Sequence, residues 1–185
     1  VVVFQGHALD QFEVLRSSPK VLVADIYDPM HMEMLEQGRE LGRATWDLRV
    51  STATRVLNDQ LALADFFLCA SERQRLFYLG QLAGLGRITP ATYENDPHLR
   101  GLLAVAPFGV PEEPPVHGRD AVKGVVPGIG TEDRLLIWGG GLYSWFDPAT
   151  LIRAIGALAE RRPNLRLFFL GTKHPGVDEM GIVRE

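Results

Sequence analysis

The sequence predicts an α/β protein built from two Rossmann-like units, each with a mostly parallel sheet and each incomplete within this chain. Three observations carry that expectation. Strand-like and helix-like segments alternate from end to end. The strand-like segments are continuous apolar runs rather than alternating ones, the pattern of strands buried on both faces. Residues 107 to 130, PFGVPEEPPVHGRDAVKGVVPGIG, are so rich in proline and glycine that neither helix nor strand continues through them for long, so they read as a connector between domains.

The elements follow in order. Strands are expected over Val1 to Phe4, Val21 to Ile26, Phe66 to Ala70, Leu102 to Ala106, Leu135 to Trp138 and Leu165 to Leu170. Ser51 or Thr52 is expected to cap a helix running to about Ala64. Ser71 with Gln74 is a capping-box signature opening a helix whose Leu76, Leu79, Leu82 and Ala83 share one face. Thr89-Pro90 opens a short helix that ends before Pro97. Asp147-Pro148 opens another, with Leu151, Ile152, Ile155, Leu158 and Ala159 as its stripe and Pro163 as its stop. The expected organisation is residues 1–112 as the later part of a first domain, 113–130 as linker and 131–185 as the start of a second. Residues 131 to 171 hold one β-α-β crossover, too little to close a doubly wound sheet. The chain opens without methionine, directly in a strand-like run, which predicts an internal piece of a longer protein.

Composition narrows the function classes. A chain with 46% hydrophobic and 23% charged residues has the make-up of an ordinary globular protein rather than a disordered one. A formal net charge of −4 and the want of a Lys/Arg stripe argue against a nucleic-acid partner. Cys69 is the single cysteine, so there is neither a disulfide framework nor a thiolate metal cluster, and a reducing cytoplasm fits. No apolar run reaches the roughly 18 residues of a membrane span, and the opening VVVFQG is too short for a signal sequence.

In open parallel sheets ligands gather beyond the carboxyl ends of the strands, where loops and helix N-termini converge. That rule selects Gln5-Gly6-His7, Asp25 to Asp28, Gly139 to Asp147, and Gly171 to His174. Gly139, Gly140 and Gly141 allow close backbone approach to a ligand, and the helix opening at Pro148 offers N–H groups and a positive dipole end to a phosphate. A plain glycine-rich turn explains the same residues equally well. Asp147 competes with an anion for those N–H groups, and Trp145 and Phe146 read first as packing residues. A carboxylate at Asp25 or Asp28 would act as a base or bind sugar hydroxyls. Asp28-Pro29 is also a helix-cap signature, and for Asp28 that reading weighs more. A buried acid at Asp25, inside a strand run, needs a partner or a purpose. His7 defaults to a surface or hydrogen-bonding role. Lys173 and His174 are a lone basic pair after a strand, and no spacing in the chain suits a metal.

Three segments then carry a family resemblance. ADFFLCASE (64 to 72), APFGVPEEP (106 to 114) and LLIWGGGLYSWFDPATLIRAIGALAERRPNLRLFFLG (135 to 171) resemble, in order, landmarks of GT-B glycosyltransferases of the family 4 (glycosyl transferases group 1) type. The resemblance covers essentially the whole chain. It implies the end of an acceptor-side domain, the linker and the start of a donor-side domain. It further implies retaining, metal-independent transfer of a sugar from a nucleotide-diphosphate-sugar, which is a substrate and not a cofactor, to a sugar or lipid-linked acceptor held in a cleft between the domains. On that footing Asp25, Tyr27 and Asp28 are the catalytic candidates, Gly6 and His7 lie on the acceptor side, and Gly139, Gly140, Gly141, Trp145 and Lys173 bind the donor diphosphate. Peripheral contact with the inner face of a membrane would follow from a lipid-linked acceptor. Two departures stand out. The glycine loop lacks the family's frequent Arg and Lys-Gly pair, and Tyr27 stands about where a histidine often follows the strand matching VLVADIYDP. The paired-glutamate motif is expected beyond Glu185, so this chain alone is expected to transfer no sugar.

Two other readings remain open. A non-catalytic nucleotide- or phosphate-binding Rossmann-like module accounts for the same alternation. An NAD-dependent oxidoreductase is disfavoured because no G-x-G-x-x-G fingerprint with an acid about twenty residues on is present.

Overall fold

The computed structural model describes residues 1–143 and 146–171. The chain divides into two compact units, one spanning Val1–Val110 and one beginning at Pro111. Both are α/β with parallel sheets.

In the first unit the strands are β1 (Val2–Gln5), β2 (Leu22–Asp25), β3 (Phe66–Cys69) and β4 (Leu103–Val105), paired in the order β1-β2-β3-β4 and all parallel. The helices are α1 (Ala8–Gln11), α2 (Met30–Gln37), α3 (Arg43–Leu63), α4 (Glu72–Gly84) and α5 (Pro90–Asn95). Every crossover steps to the next strand in the same direction, and crossovers of one hand stepping one way lay their helices on one face. The core is on that face. Leu9 from α1, Val56, Leu57 and Leu61 from α3, and Tyr78 and Leu82 from α4 pack on Phe4, Leu22, Ala24, Phe67, Cys69 and Leu103.

The expectation that these strands are buried on both faces holds at β2, where Leu22, Val23 and Ala24 are all buried, and fails at β1. Alternate residues point to the opposite face, and there Val3 is 62% exposed, with Val1 and Val21 just ahead of the strands exposed as well. The continuous apolar runs therefore build one filled face and a second that is closed at Val23 of β2 and open at the β1 edge.

Helix α3 starts at Gly42, well before Ser51. The Ser51 hydroxyl donates to Leu48 O at 3.0 Å and the Thr54 hydroxyl to Val50 O at 2.9 Å, so these polar side chains fold back onto the helix's own carbonyls instead of capping it. Arg87 closes the other end, donating to Leu61 O, Ala62 O and Ala64 O at 2.6 to 2.9 Å. Helix α4 is capped as expected by Ser71, which accepts from Gln74 N at 3.2 Å. Its buried face, however, is Arg75, Tyr78 and Leu82, and the expected Leu76 is 68% exposed. Arg75 is held inside because its guanidinium donates to Leu103 O at 3.0 Å and to His98 O.

In the second unit β5 (Arg134–Trp138) and β6 (Leu165–Phe169) pair in parallel from Arg134↔Leu165 to Trp138↔Phe169, joined through α6 (Pro148–Leu158). Leu151 and Ile155 of α6 are half-buried, whereas Ile152 and Leu158 of the expected stripe are exposed. Between β4 and β5 the structure has only turns and irregular backbone. Among the described residues no helix is long and apolar enough to cross a membrane.

Candidate functional site

The carboxyl ends of β1, β2 and β3 collect most of the residues that the sequence singles out. Gly6 follows β1 with φ +61°, a left-handed conformation that a side chain would strain, and its carbonyl accepts from the buried Gln60 amide. His7 is exposed at the start of α1, where its side chain makes no cap. Both residues are thus accounted for by the turn that launches α1.

Asp25 is the last residue of β2 and is only half-buried. It aligns with Gln5 and Leu68 on the open face of the sheet, away from the core. The reasoning that a buried acid must have a partner therefore does not apply to it. Tyr27 is 37% exposed. Its ring stands edge-on to Phe108 with centroids 5.8 Å apart, and its carbonyl accepts from the Gln74 side chain at 2.6 Å. That glutamine also accepts from Ala70 N at 2.8 Å, tying the ends of β2 and β3 together.

Asp28 differs most from its expected role. The N-cap position of α2 is Pro29, with no side-chain cap, and Met30 N bonds to the Asp28 backbone carbonyl at 2.9 Å. The Asp28 carboxyl therefore makes no cap there, and it lies near enough to the Glu33 carboxyl to act on its titration. Burial, and next to it the Asp28 charge, hold the Glu33 carboxyl above the ordinary glutamate range. His31, stacked on Phe77 at 5.8 Å, is held below its usual value by burial, against the opposing pull of Asp28. Behind them Tyr78 is fully buried, edge-on to Phe77 at 5.2 Å, and its phenol is pushed upward chiefly by burial, with a smaller push from Asp28. Tyr78 Oη and His31 Nδ1 are buried and have no hydrogen-bond partner among the described residues. An unmade hydrogen bond on a buried group costs about 1–3 kcal/mol, so this corner holds polar groups at a cost to the fold.

Glu33 and Tyr78 are members of this corner that the sequence left unassigned, and Gln74, expected only as the capping partner of Ser71, reaches it through the Tyr27 carbonyl. The available signal was the acid five residues after Asp28 across Pro29, which brings the two carboxyls near each other once Pro29 has taken the cap.

In the second unit the glycine loop lies at the carboxyl end of β5. Its backbone has no left-handed glycine; among the described residues the glycines with positive φ are Gly6, Gly86, Gly124 and Gly128. A side chain at Gly140 would make ordinary contact with Phe146 at 3.6 Å, whereas one at Gly141 would run into the Tyr143 ring at 2.4 Å. The loop is folded under aromatic rings, with Trp138 Nε1 donating to Gly141 O at 3.0 Å and Tyr143 edge-on to Phe146 at 5.4 Å. Asp147 adopts the left-handed conformation and its carboxylate accepts from Thr150 N at 3.0 Å; the Thr150 side chain first, and this N–H next, hold that carboxyl below the usual range. Pro148 supplies no N–H, so the first turn of α6 is largely served by its own cap. Within α6, Arg153 reaches back to donate to Thr150 Oγ1 at 3.0 Å and acts favourably on Asp147. Trp145, Lys173 and His174 lie outside the described residues.

Among the described residues no group of three or more His, Cys, Asp or Glu side chains is arranged to hold a metal ion. No family model, curated protein or solved structure matches the chain.

Proposed function

We propose that this chain is part of a two-unit, GT-B-type glycosyltransferase that passes a sugar from a nucleotide-diphosphate donor to a hydroxyl-bearing acceptor. The observation that carries the reading is the glycine loop at the carboxyl end of β5 leading into α6, the position at which a parallel β-α unit receives phosphate. The carboxyl-and-aromatic corner at the end of β2 adds a site suited to hydroxyl groups on the other unit. Retention, metal independence, a lipid-linked acceptor and a cytoplasmic, membrane-peripheral location belong to the same proposal. Asp147 stands against an anion at the first turn of α6, so loop N–H groups and Arg153 would carry the donor's charge.

The test is calorimetric titration of the full-length parent protein with UDP-, GDP- and dTDP-sugars, repeated on Gly140→Val. Gly140 is not required by backbone conformation and its Cβ meets only ordinary contacts, so the variant keeps its fold and loses donor binding by about tenfold or more if the loop packs against the diphosphate. Unchanged affinity in the variant, or no binding of any nucleotide-sugar to the parent, removes the reading in favour of a fold without that ligand.

A further inference from the structure

A cavity of about 430 Å³ opens at the other end of the first sheet from the Tyr27 corner, where Asp65 leads into β3 and Leu102 into β4. That volume lies within the range of about 300–1,000 Å³ common to small-molecule sites. Its walls are fixed by bonds within the protein. Arg87 is anchored by its bonds to Leu61 O, Ala62 O and Ala64 O, and one Asp65 carboxylate oxygen accepts from Leu22 N at 2.8 Å. The Asp96 carboxylate accepts from His98 N at 3.0 Å and from Gly101 N at 2.6 Å. In the turn so gathered, Leu99 takes a left-handed φ of 55°, a costly conformation for a side chain of its size. Strain of that kind persists only where the surroundings over-determine it, and it collects at ligand clamps.

The bonding capacity left over is of both kinds. Arg87 keeps N–H donors beyond those its three carbonyls use, and the second Asp65 oxygen accepts nothing among the described residues. Asn95 spends one N–H on Ala91 O at 2.9 Å and has a donor and its carbonyl oxygen to spare. Leu99 and Leu102 add an apolar stretch of wall.

We propose that this cavity binds a neutral, hydroxyl-rich molecule about the size of one sugar ring, with Arg87 donating to its hydroxyl oxygens, Asp65 accepting its hydroxyl hydrogens and Asn95 doing both. Leu99 and Leu102 lie against its C–H surface. Charge decides against the other classes. An anion meets the carboxylates of Asp65 and Asp96, and Asp96 stays ionised because the Gly101 N–H first, and that of His98 after it, hold its carboxyl below the usual range. A cation meets Arg87. A hydroxyl both gives and accepts, so it can answer both kinds of wall group without bringing a charge. Because the wall is already ordered, little conformational freedom is lost on binding. No covalent bond is made or broken. The cavity lies at the amino ends of the strands, and the inference does not rest on the transferase reading.

The experiment is a saturation-transfer NMR titration of the full-length protein at mildly acidic pH. Myo-inositol and methyl glucoside are the neutral probes, with glucosamine, glucuronate and alanine as cationic, anionic and zwitterionic ones. The expected result is binding of at least one neutral probe, with every charged probe about tenfold weaker or worse. Gly101→Val fills the cavity: Gly101 has no left-handed φ, and a Cβ there would stand in ordinary contact with the Asp96 carboxylate at 3.5 Å. It should lower neutral-probe affinity by about tenfold or more. Asn95 is exposed and bonds only within its own helix, so Asn95→Ala keeps the fold and should weaken the neutral probe by about threefold or more. A thermal midpoint checks that each variant folds, and if Gly101→Val does not, Asn95→Ala decides alone. Unchanged neutral-probe affinity in a folded variant, tighter binding of any charged probe, or no binding of either neutral probe overturns the proposal.

Discussion

Glu33 concentrates the chemistry of the first unit in one carboxyl. Its folded-state affinity for a proton is raised by burial first and by Asp28 second. A carboxyl shifted upward stabilises the fold below its unfolded value, near 4.5, and that contribution is lost as pH rises through the folded value. At neutral pH the ionised side chain therefore works against folding. Glu33→Gln should raise the thermal midpoint at neutral pH, and the advantage should vanish in acid below about the ordinary glutamate value. Equal midpoints for the two proteins at neutral pH would show that Glu33 is not under this strain. The pair was not legible in the sequence. Asp28-Pro29 has the signature of a cap, and only the geometry shows that Pro29 occupies that position and that the Asp28 side chain makes no cap bond.

At the scale of elements, Arg75 fixes how α4 sits on the sheet. Its buried guanidinium bonds the carbonyls of Leu103 and His98, so it joins α4 to β4 and to the turn before it. Arg75→Met keeps the apolar stem but leaves two carbonyls unpaired. A loss of about 2–4 kcal/mol is expected in urea unfolding, and a change within about 0.5 kcal/mol, the range of an ordinary surface substitution, would mean that the arginine is incidental. All six strands were legible because each is a short apolar run set off by turn residues. The caps Ser71, Thr89 and Asp147 were legible because their side chains bond the first-turn amides. The start of α3 was not, since Ser51 in isolation looks like a cap and its bond to Leu48 O appears only in the folded helix. The rotation of α4 escaped for a related reason: hydropathy places Leu76 inside and Arg75 outside, and two carbonyl bonds reverse that order.

Across the whole molecule, the apolar edge left open at β1 of the first sheet is the largest departure from what the sequence implies. Parallel sheets are ordinarily covered on both sides, and here Val1, Val3 and Val21 stand 51% to 82% exposed around β1. The folded chain is expected to bind an apolar dye such as ANS at this edge. Replacing Val3 and Val21 together by threonine, which keeps the β-branched shape, should lower the fluorescence markedly without moving the circular dichroism; unchanged fluorescence would place the dye elsewhere. The β1-β2-β3-β4 order also bears on how the first unit comes into being. Each strand's partner is the strand just before it in sequence, so no later segment has to be threaded between two that have already met. Chain leaving a ribosome in sequence order can add one strand and its helix at a time onto a growing edge, and the unit is suited to assemble while it is still being made.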